Sequence, residues 1–384
     1  MKKLRIIFYT DSYLPSVDGV VNSMIAARKE LERRGHEVFI FTSGKKETEE
    51  LAKQDDHLIV LNGVRFKRYP QYTFAIQPEF HRRILELKPD ILHAQTPFSM
   101  GFLAVRAAKL TGAKLVISFH TLVFSDTLID SFFSRNKVIK FVGKMALMRY
   151  LRWLYRKGDV VVTPSLYIKK LLKRKLGLKN PIQVVHSGIE FDKKKDTVSR
   201  DKARKKLGIG KNEKVLLYLG RISPEKNIPF LLKAAPFLEK EGFKIIIAGG
   251  GPFLGECKAL ASKYSLKNTT FPGFIAQDFT KYYYSAADVF CNPSLFETES
   301  LVDVEAMARN LPILVPARSA QSEFLLKGKC GEKFIAGNKE DLVKKAVKIY
   351  KNRHKYSTYK VAKIYFVTSV VRTLEKLYYS LLNR

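Results

Sequence analysis

The 384-residue chain is short of acidic residues and cysteine, and it has no long apolar run and no low-complexity or solenoid repeat. Asp and Glu number 36 against 69 Lys and Arg, a net charge of +33. So few carboxylates imply an anionic partner: nucleic acid, an anionic membrane or a phosphorylated small molecule. The three cysteines, Cys257, Cys291 and Cys330, are odd in number and far apart. That spacing excludes a zinc or thioredoxin-like motif and leads us to expect reduced, partly buried thiols in a cytoplasmic protein. No window approaches the ~18 consecutive apolar residues of a spanning helix. The apolar run after Lys2 and Lys3 stops at Thr10-Asp11, too short for a signal-peptide core. Any membrane involvement is therefore expected at the surface. What is present is enough for real cores: 46% hydrophobic and 12% aromatic residues. At ~100–200 residues per domain, the length suggests two domains.

Short β-rich runs alternate with helical stretches. Strands are expected at 4–9, 37–42, 90–93, 114–119, 159–163 and 182–185. Helices are expected near 21–34, 98–111, 135–157 and 165–176. This alternation predicts a parallel sheet covered on both faces. The rhythm pauses in a lysine-rich stretch near 187–212, where the domain junction is expected. It restarts with strands at 214–219, 244–248, 268–271, 288–291 and 312–315, and helices at 227–240, 338–353 and 357–384. The expected division is 1–187, 188–356 and a C-terminal helix over 357–384. Ligands of such sheets bind at the carboxyl ends of the strands, and with two of them a cleft between the domains is the expected site.

Three motifs fall at strand ends. Glu297 and Glu305 lie eight positions apart, one on a loop and one on the helix that follows. A helix start offers free amides to an anion, and the carboxylates can accept hydrogen bonds from sugar hydroxyls. An arbitrary pair at this spacing is most often two exposed acids. Gly220-Arg-Ile-Ser-Pro-Glu-Lys-Asn227 follows a strand and brings Arg221 and Lys226 to its end, suited to phosphate oxygens. In so basic a chain such a pair can equally be solvated. Gly19 closes a loop after the first strand, where a backbone without Cβ can approach a ligand, although most such loops are only turns.

Together, in this order, these stretches resemble glycosyltransferase family 4 (GT4). The matching segments are GRISPEKN at 220–227, IAGGGP at 247–252, FPGFI at 271–275, ADVFCNPS at 287–294 and FETESLVDVEAMA at 296–308. FYTDSYLPSVDGVVNSM at 8–24, FHTLVF at 119–124 and the Phe296-Glu-Thr298 triplet are similar to the branch that glucosylates diacylglycerol. The resemblance covers almost the whole chain. It implies the α/β GT-B fold, two doubly wound Rossmann-like domains facing each other across a cleft. It implies a retaining transfer of a hexose from a nucleotide sugar, a UDP-hexose, to a lipid acceptor such as diacylglycerol. Carried over by position, Arg221 and Lys226 bind the diphosphate, with Gly19 abutting it and the amides of Leu301 and Val302 stabilising its charge. Glu297 holds the donor sugar, Glu305 the ribose, and His120 faces donor sugar and acceptor. No metal or cofactor is implied, and the chain has no Asp-x-Asp motif of the metal-dependent fold.

The sequence departs from the family at several positions. Ser300 stands where glycine is usual and Asp303 where an aliphatic residue is usual. Ser300-Leu-Val-Asp303 reads as a capping box. Its side chains are then expected to compete with donor phosphate for the same amides, so that Ser300→Gly improves donor binding. His186 and Gly250 also differ from the usual residues.

From 135 to 179 there are fourteen Lys or Arg and one acid, Asp159. Lys137, Lys140, Lys144, Arg149, Arg152, Arg156 and Lys157 are interleaved with large apolar residues and Trp153. That mixture on one helix marks an interfacial helix on anionic lipid, unless its apolar side is used up on the sheet. The expected setting is the inner face of the cell membrane. The alternatives are a GT4 enzyme acting on a soluble or polysaccharide acceptor, an inactive GT-B scaffold and a nucleic-acid-binding protein. The last has no recognisable motif, and its charge is spread over both halves, so no nucleic-acid partner is expected. The sequence does not fix the oligomeric state.

Overall fold

The computed structural model describes residues 2–15, 19–44, 46–65, 73–75, 80–120 and 137–383. The chain forms two compact units: residues 1–188 together with 367–384, and residues 189–366.

The first unit is built on a seven-stranded sheet. Its strands are β1 (Arg5–Thr10), β2 (Glu37–Ser43), β3 (Leu58–Leu61), β6 (Ile91–Ala94), β7 (Lys114–Ser118), β8 (Val160–Thr163) and β9 (Ile182–Val184). They are all parallel, in the order β3-β2-β1-β6-β7-β8-β9. A small antiparallel pair, β4 (Gly63–Arg65) and β5 (Thr73–Ala75), forms a separate two-stranded sheet. The strands are apolar along their length because both faces are covered. Ile7, Tyr9, Leu92 and Ile117 face helices Ser99–Thr111 and Lys137–Arg156. Ile6, Phe8, Ile91 and Val116 pack with Val370, Val371, Leu374, Tyr378 and Leu381 of the last helix. Those five lie on one face at three- and four-residue spacing. Burying each aliphatic side chain there is worth about 1.5–3 kcal/mol.

The second unit has six parallel strands: β10 (Lys214–Leu219), β11 (Phe243–Ala248), β12 (Thr269–Gly273), β13 (Val289–Cys291), β14 (Ile313–Pro316) and β15 (Gly331–Phe334). Their order is β12-β11-β10-β13-β14-β15. In both sheets the order reverses once, between β1 and β6 and between β10 and β13. At such a switch point the loops leave the carboxyl ends in opposite directions and open a crevice. The three cysteines are buried and unbonded, and burial pushes each thiol up, Cys257 to about 11.

The sequence predicts one helix over 357–384. The structure divides it into Thr358–Ala362, a 3-10 turn at Lys363–Tyr365 and Val367–Leu382. The break is at Phe366, which is extended (φ −73°, ψ 143°). Its backbone bridges to Ile189, its ring stacks on Phe191 at 5.3 Å, and the Ile189 amide donates to the Tyr365 carbonyl at 3.0 Å. Pairing with residue 189 replaces the helical bonds. The lysine-rich pause also holds structure: helices Lys193–Asp196 and Arg200–Leu207, capped by Asp192 and Ser199.

Candidate functional site

The switch point of the second sheet is flanked by the Gly220–Asn227 loop after β10 and the Asn292–Ser300 loop after β13. Ile222 is buried and anchors the first loop to the glycine run after β11: its amide donates to the Gly250 carbonyl at 2.8 Å. Gly249 has φ 138°, and a Cβ there would lie 1.8 Å from the Gly220 oxygen, so the close approach of the two loops requires glycine. The first loop is tied to the second as well. Asn227 donates to the Pro293 carbonyl at 3.2 Å, and the Ser294 hydroxyl to the Glu225 carbonyl at 3.2 Å.

On this frame two of the sequence candidates meet. Lys226 Nζ lies 2.6 Å from Glu297 Oε1, with both side chains mostly buried. Burial alone pulls the Lys226 ammonium down. The charge and hydrogen bond of Glu297, with Glu225 and Asp303 behind, outweigh it and hold the group above its ordinary value. Arg221 is exposed at the start of the loop. Leu301 and Val302 open helix Leu301–Ala308, and no side chain caps their amides.

Glu305 sits on the second turn of that helix and is held from behind. The Tyr284 hydroxyl donates to Glu305 Oε2 at 2.9 Å. Arg309 lies 5.0 Å over the Tyr284 ring and donates to the Asp196 carbonyl at 2.8 Å. Burial raises the Glu305 carboxyl, and the Tyr284 hydrogen bond and Arg309 offset part of that rise. Tyr284 carried no signal in the sequence beyond its place in a run of three tyrosines.

The expected capping box does not form. Ser300 is at the N-cap position but makes no capping bond; its Oγ accepts from Asn292 Nδ2 at 3.0 Å. Asp303 is fully buried and its Oδ2 accepts from Gln321 Nε2 at 3.0 Å rather than from a helix amide. Neither side chain competes for the amides of Leu301 and Val302.

In the first unit, His120 follows β7 and its Nε2 lies 2.9 Å from Gln95 Oε1. The amide oxygen accepts, which puts the ring proton on Nε2. Burial pulls the His120 pKa down to about 4, so the ring is neutral near pH 7. Gln95 follows β6, and beside it Thr96 and Ser99 donate to Asp11, each at 2.5 Å. Asp11 thus spans the β1/β6 switch point. Burial raises its carboxyl, and the bonds from Ser99, Thr96 and the Met100 amide resist that rise. Gln95 and Asp11 were missed in the sequence, although a polar residue directly after a strand was the available signal. Gly19 is exposed at the first residue of helix Gly19–Arg33.

The Glycosyltransferase Family 4 pattern matches residues 17–193, and that of Glycosyl transferases group 1 matches residues 199–363. Alpha-monoglucosyldiacylglycerol synthase of Streptococcus pneumoniae is 33% identical, over 81% of this chain and 70% of its own. The synthase of the same name from Acholeplasma laidlawii is 31% identical, over 91% of this chain and 89% of its own. The chain belongs to glycosyltransferase family 4. Among solved structures, sucrose-phosphate synthase from Thermosynechococcus elongatus superposes over the whole of both chains, with TM-score 0.73 and 17% identity. Anabaena HepE in complex with UDP superposes over 99% of this chain and 100% of its own, with TM-score 0.75 and 17% identity. These likenesses establish the GT-B fold.

The basic helix of this glycosyltransferase, Lys137–Arg156, is divided along its length. Leu151, Leu154 and Tyr155 are buried against the sheet, and Trp153 packs 5.9 Å from both Phe102 and Tyr150. Towards its start, Phe141, Val142 and Met145 are 63%, 56% and 48% exposed. Arg149, Arg152, Arg156 and Lys157 are exposed, whereas Lys140 and Lys144 are half-buried. Arg152 and Arg156 donate to the Leu176 and Gly177 carbonyls at 3.0 and 3.3 Å, so both also cap the end of helix Leu166–Leu176. The Lys137 side chain lies outside the described residues. Among the described residues no helix is long and apolar enough to cross a membrane.

Proposed function

We propose that this enzyme moves a hexose, glucose in the first instance, from a UDP-sugar to a lipid acceptor such as diacylglycerol, working as a peripheral protein on an anionic membrane. The observation that carries the reading is the Lys226–Glu297 pair at the second switch point, beside exposed Arg221 and an uncapped helix start. Two glucosyldiacylglycerol synthases among the relatives support the acceptor class.

In this reading the unit of residues 189–366 holds the donor, and the unit built on residues 1–188 holds the acceptor. Arg221, Lys226 and the amides of Leu301 and Val302 face the diphosphate. The bond from the anomeric carbon to the diphosphate oxygen breaks, the acceptor hydroxyl oxygen bonds to that carbon, and the hydroxyl proton leaves with the diphosphate. Fixed cations and amides aimed at the departing charge supply the stabilisation, with no metal required. Retention of configuration is part of the proposal, as the family resemblance implies. Glu297 accepts from hydroxyls of the donor sugar and Glu305 from the ribose, while neutral His120 presents a ring held by Gln95 to the reacting sugar.

Helix Lys137–Arg156 lays Phe141, Val142 and Met145 into the lipid, with the nearby cations on anionic headgroups. The test supplies UDP- and GDP-sugars with vesicles of diacylglycerol, phosphatidylglycerol and phosphatidylcholine. The expected result is a hexosylated lipid, with co-sedimentation that rises with phosphatidylglycerol and falls with salt. Transfer to water-soluble acceptors alone, or equal pelleting on neutral vesicles, contradicts it.

A further inference from the structure

Behind the Lys226–Glu297 pair lies a second polar pair, fully enclosed. Asp303 and Gln321 are both 0% exposed, on the first turn of helix Leu301–Ala308 and on the 3-10 segment Ala320–Leu326. One hydrogen bond joins them, Gln321 Nε2 to Asp303 Oδ2 at 3.0 Å. The other oxygen of each side chain, Asp303 Oδ1 and Gln321 Oε1, has no partner in hydrogen-bonding geometry. Two buried acceptors without a well-formed hydrogen bond are costly even with the Ser300 and Asn292 side chains beside Asp303, and a carboxylate adds the cost of an enclosed charge. A proton on Asp303 removes the enclosed charge and gives the pair the donor it lacks. On Oδ1 it makes a donor of the acid in a pair whose remaining free group, Gln321 Oε1, is an acceptor.

The charged neighbours act in opposite directions: Glu297 favours the neutral acid and Lys226 the carboxylate. Glu297 faces Asp303 from the loop after β13, and Lys226 from the loop after β10. Cys291, Cys330, Tyr218 and Tyr284 face it from β13, the residue before β15, β10 and helix Gln277–Ala286, and burial keeps all four protonated. Burial raises the Asp303 carboxyl, and Glu297 adds to the rise. Gln321, Ser300 and Asn292 oppose it, and the group settles at about 7.

We propose that Asp303 is a positioning residue of the donor site, which works as a neutral acid doubly bonded to Gln321 and weakens donor binding when it ionises. Ionisation places a second negative charge behind Glu297. Lys226 then answers to two carboxylates, and the potential at the phosphate position becomes more negative. This rests on the reading of the switch point as a nucleotide-sugar site.

The test compares wild type, Asp303→Asn and Gln321→Leu. Binding of UDP-glucose and of GDP-mannose, neither of which titrates near neutrality, is measured by calorimetry from about pH 6 to about pH 8.5. Wild type should lose about tenfold in affinity, the loss that a one-unit rise of the Asp303 pKa on donor binding demands. Asp303→Asn should keep its affinity across the range. Parallel profiles in the two proteins overturn the coupling. A second arm follows Tm without donor from about pH 5 to about pH 8.5. A carboxyl whose folded pKa is raised contributes stability below its unfolded pKa and loses it as pH rises through the folded value. The Tm of wild type should therefore fall behind that of Asp303→Asn up to about pH 7 and then run parallel. A constant difference overturns the neutral pair. Gln321→Leu, which removes one donor and one acceptor, should shift the wild-type inflection. Failure of wild type to bind either sugar nucleotide overturns the donor-site reading, while the Tm arm still decides the state of Asp303.

Discussion

Lys226 and Glu297 meet at 2.6 Å across 71 positions of sequence, joining the two loops that leave the switch point of the second sheet. In the proposed donor site the ammonium serves the diphosphate and the carboxylate serves the sugar. Lys226→Ala removes a charged donor and leaves Glu297 unpaired and mostly enclosed. Donor affinity should fall roughly tenfold to a hundredfold, the worth of a charge-assisted hydrogen bond. Calorimetry with UDP-glucose checks this, and unchanged affinity contradicts the assignment. Lys226→Arg should recover only part of the loss, because a planar fork does not replace a point charge.

Ser300→Gly should not improve donor binding. The hydroxyl accepts from Asn292 and makes no bond to the helix amides, so removing it frees nothing for phosphate. It strands the buried Asn292 amide and should cost about 1–3 kcal/mol of stability. Chemical denaturation together with donor titration tests both halves, and tighter donor binding in the variant contradicts the structure of the helix start.

Tyr284→Phe keeps the ring under Arg309 and deletes only the bond to Glu305. The carboxylate remains in place but is less firmly aimed. The expected cost is about 1 kcal/mol, or a roughly fivefold rise in donor KM with kcat little changed. A fall in kcat with KM constant contradicts the role given to Glu305.

The first unit should weaken in acid. His93 is buried between the Tyr378 hydroxyl and the Ser118 hydroxyl, each 2.7 Å away, and burial holds its pKa down to about 3. A histidine with a depressed folded pKa contributes stability above its unfolded value of ~6.5 and loses it as pH falls towards the folded one. The slope is at most about 1.4 kcal/mol per pH unit for each such group. His120 acts in the same direction. Denaturant titrations of wild type and His93→Gln between about pH 6.5 and pH 4 should show a shallower loss in the variant; equal slopes contradict the account.

Fold class was legible because short, mostly apolar runs such as Lys214–Leu219 and Phe243–Ala248, alternating with helical stretches, have few alternatives to a covered parallel sheet. Shorter elements were passed over. β3 to β5 are three or four residues each and carry no period. Candidate residues such as Lys226 and Glu297 could be named from the sequence, since strand-end loops advertise them, whereas Gln95, Asp11 and Tyr284 were not. The pairing of the candidates was not legible. Ser300 and Asp303 fit a capping box by spacing, but Asn292 and Gln321, eight and eighteen positions away, claim both side chains. Local patterns name the groups that can bond, and only the fold decides which partner wins.

The most direct test of the central claim is product formation from UDP-glucose and diacylglycerol vesicles, read by mass spectrometry for wild type and Glu297→Gln at matched folded concentrations. Wild type should yield glucosyldiacylglycerol. The variant, which keeps the shape of the side chain but not its charge, should lose about a hundredfold or more of that rate. Absence of a glycolipid with wild type, or equal rates from the two proteins, contradicts the account.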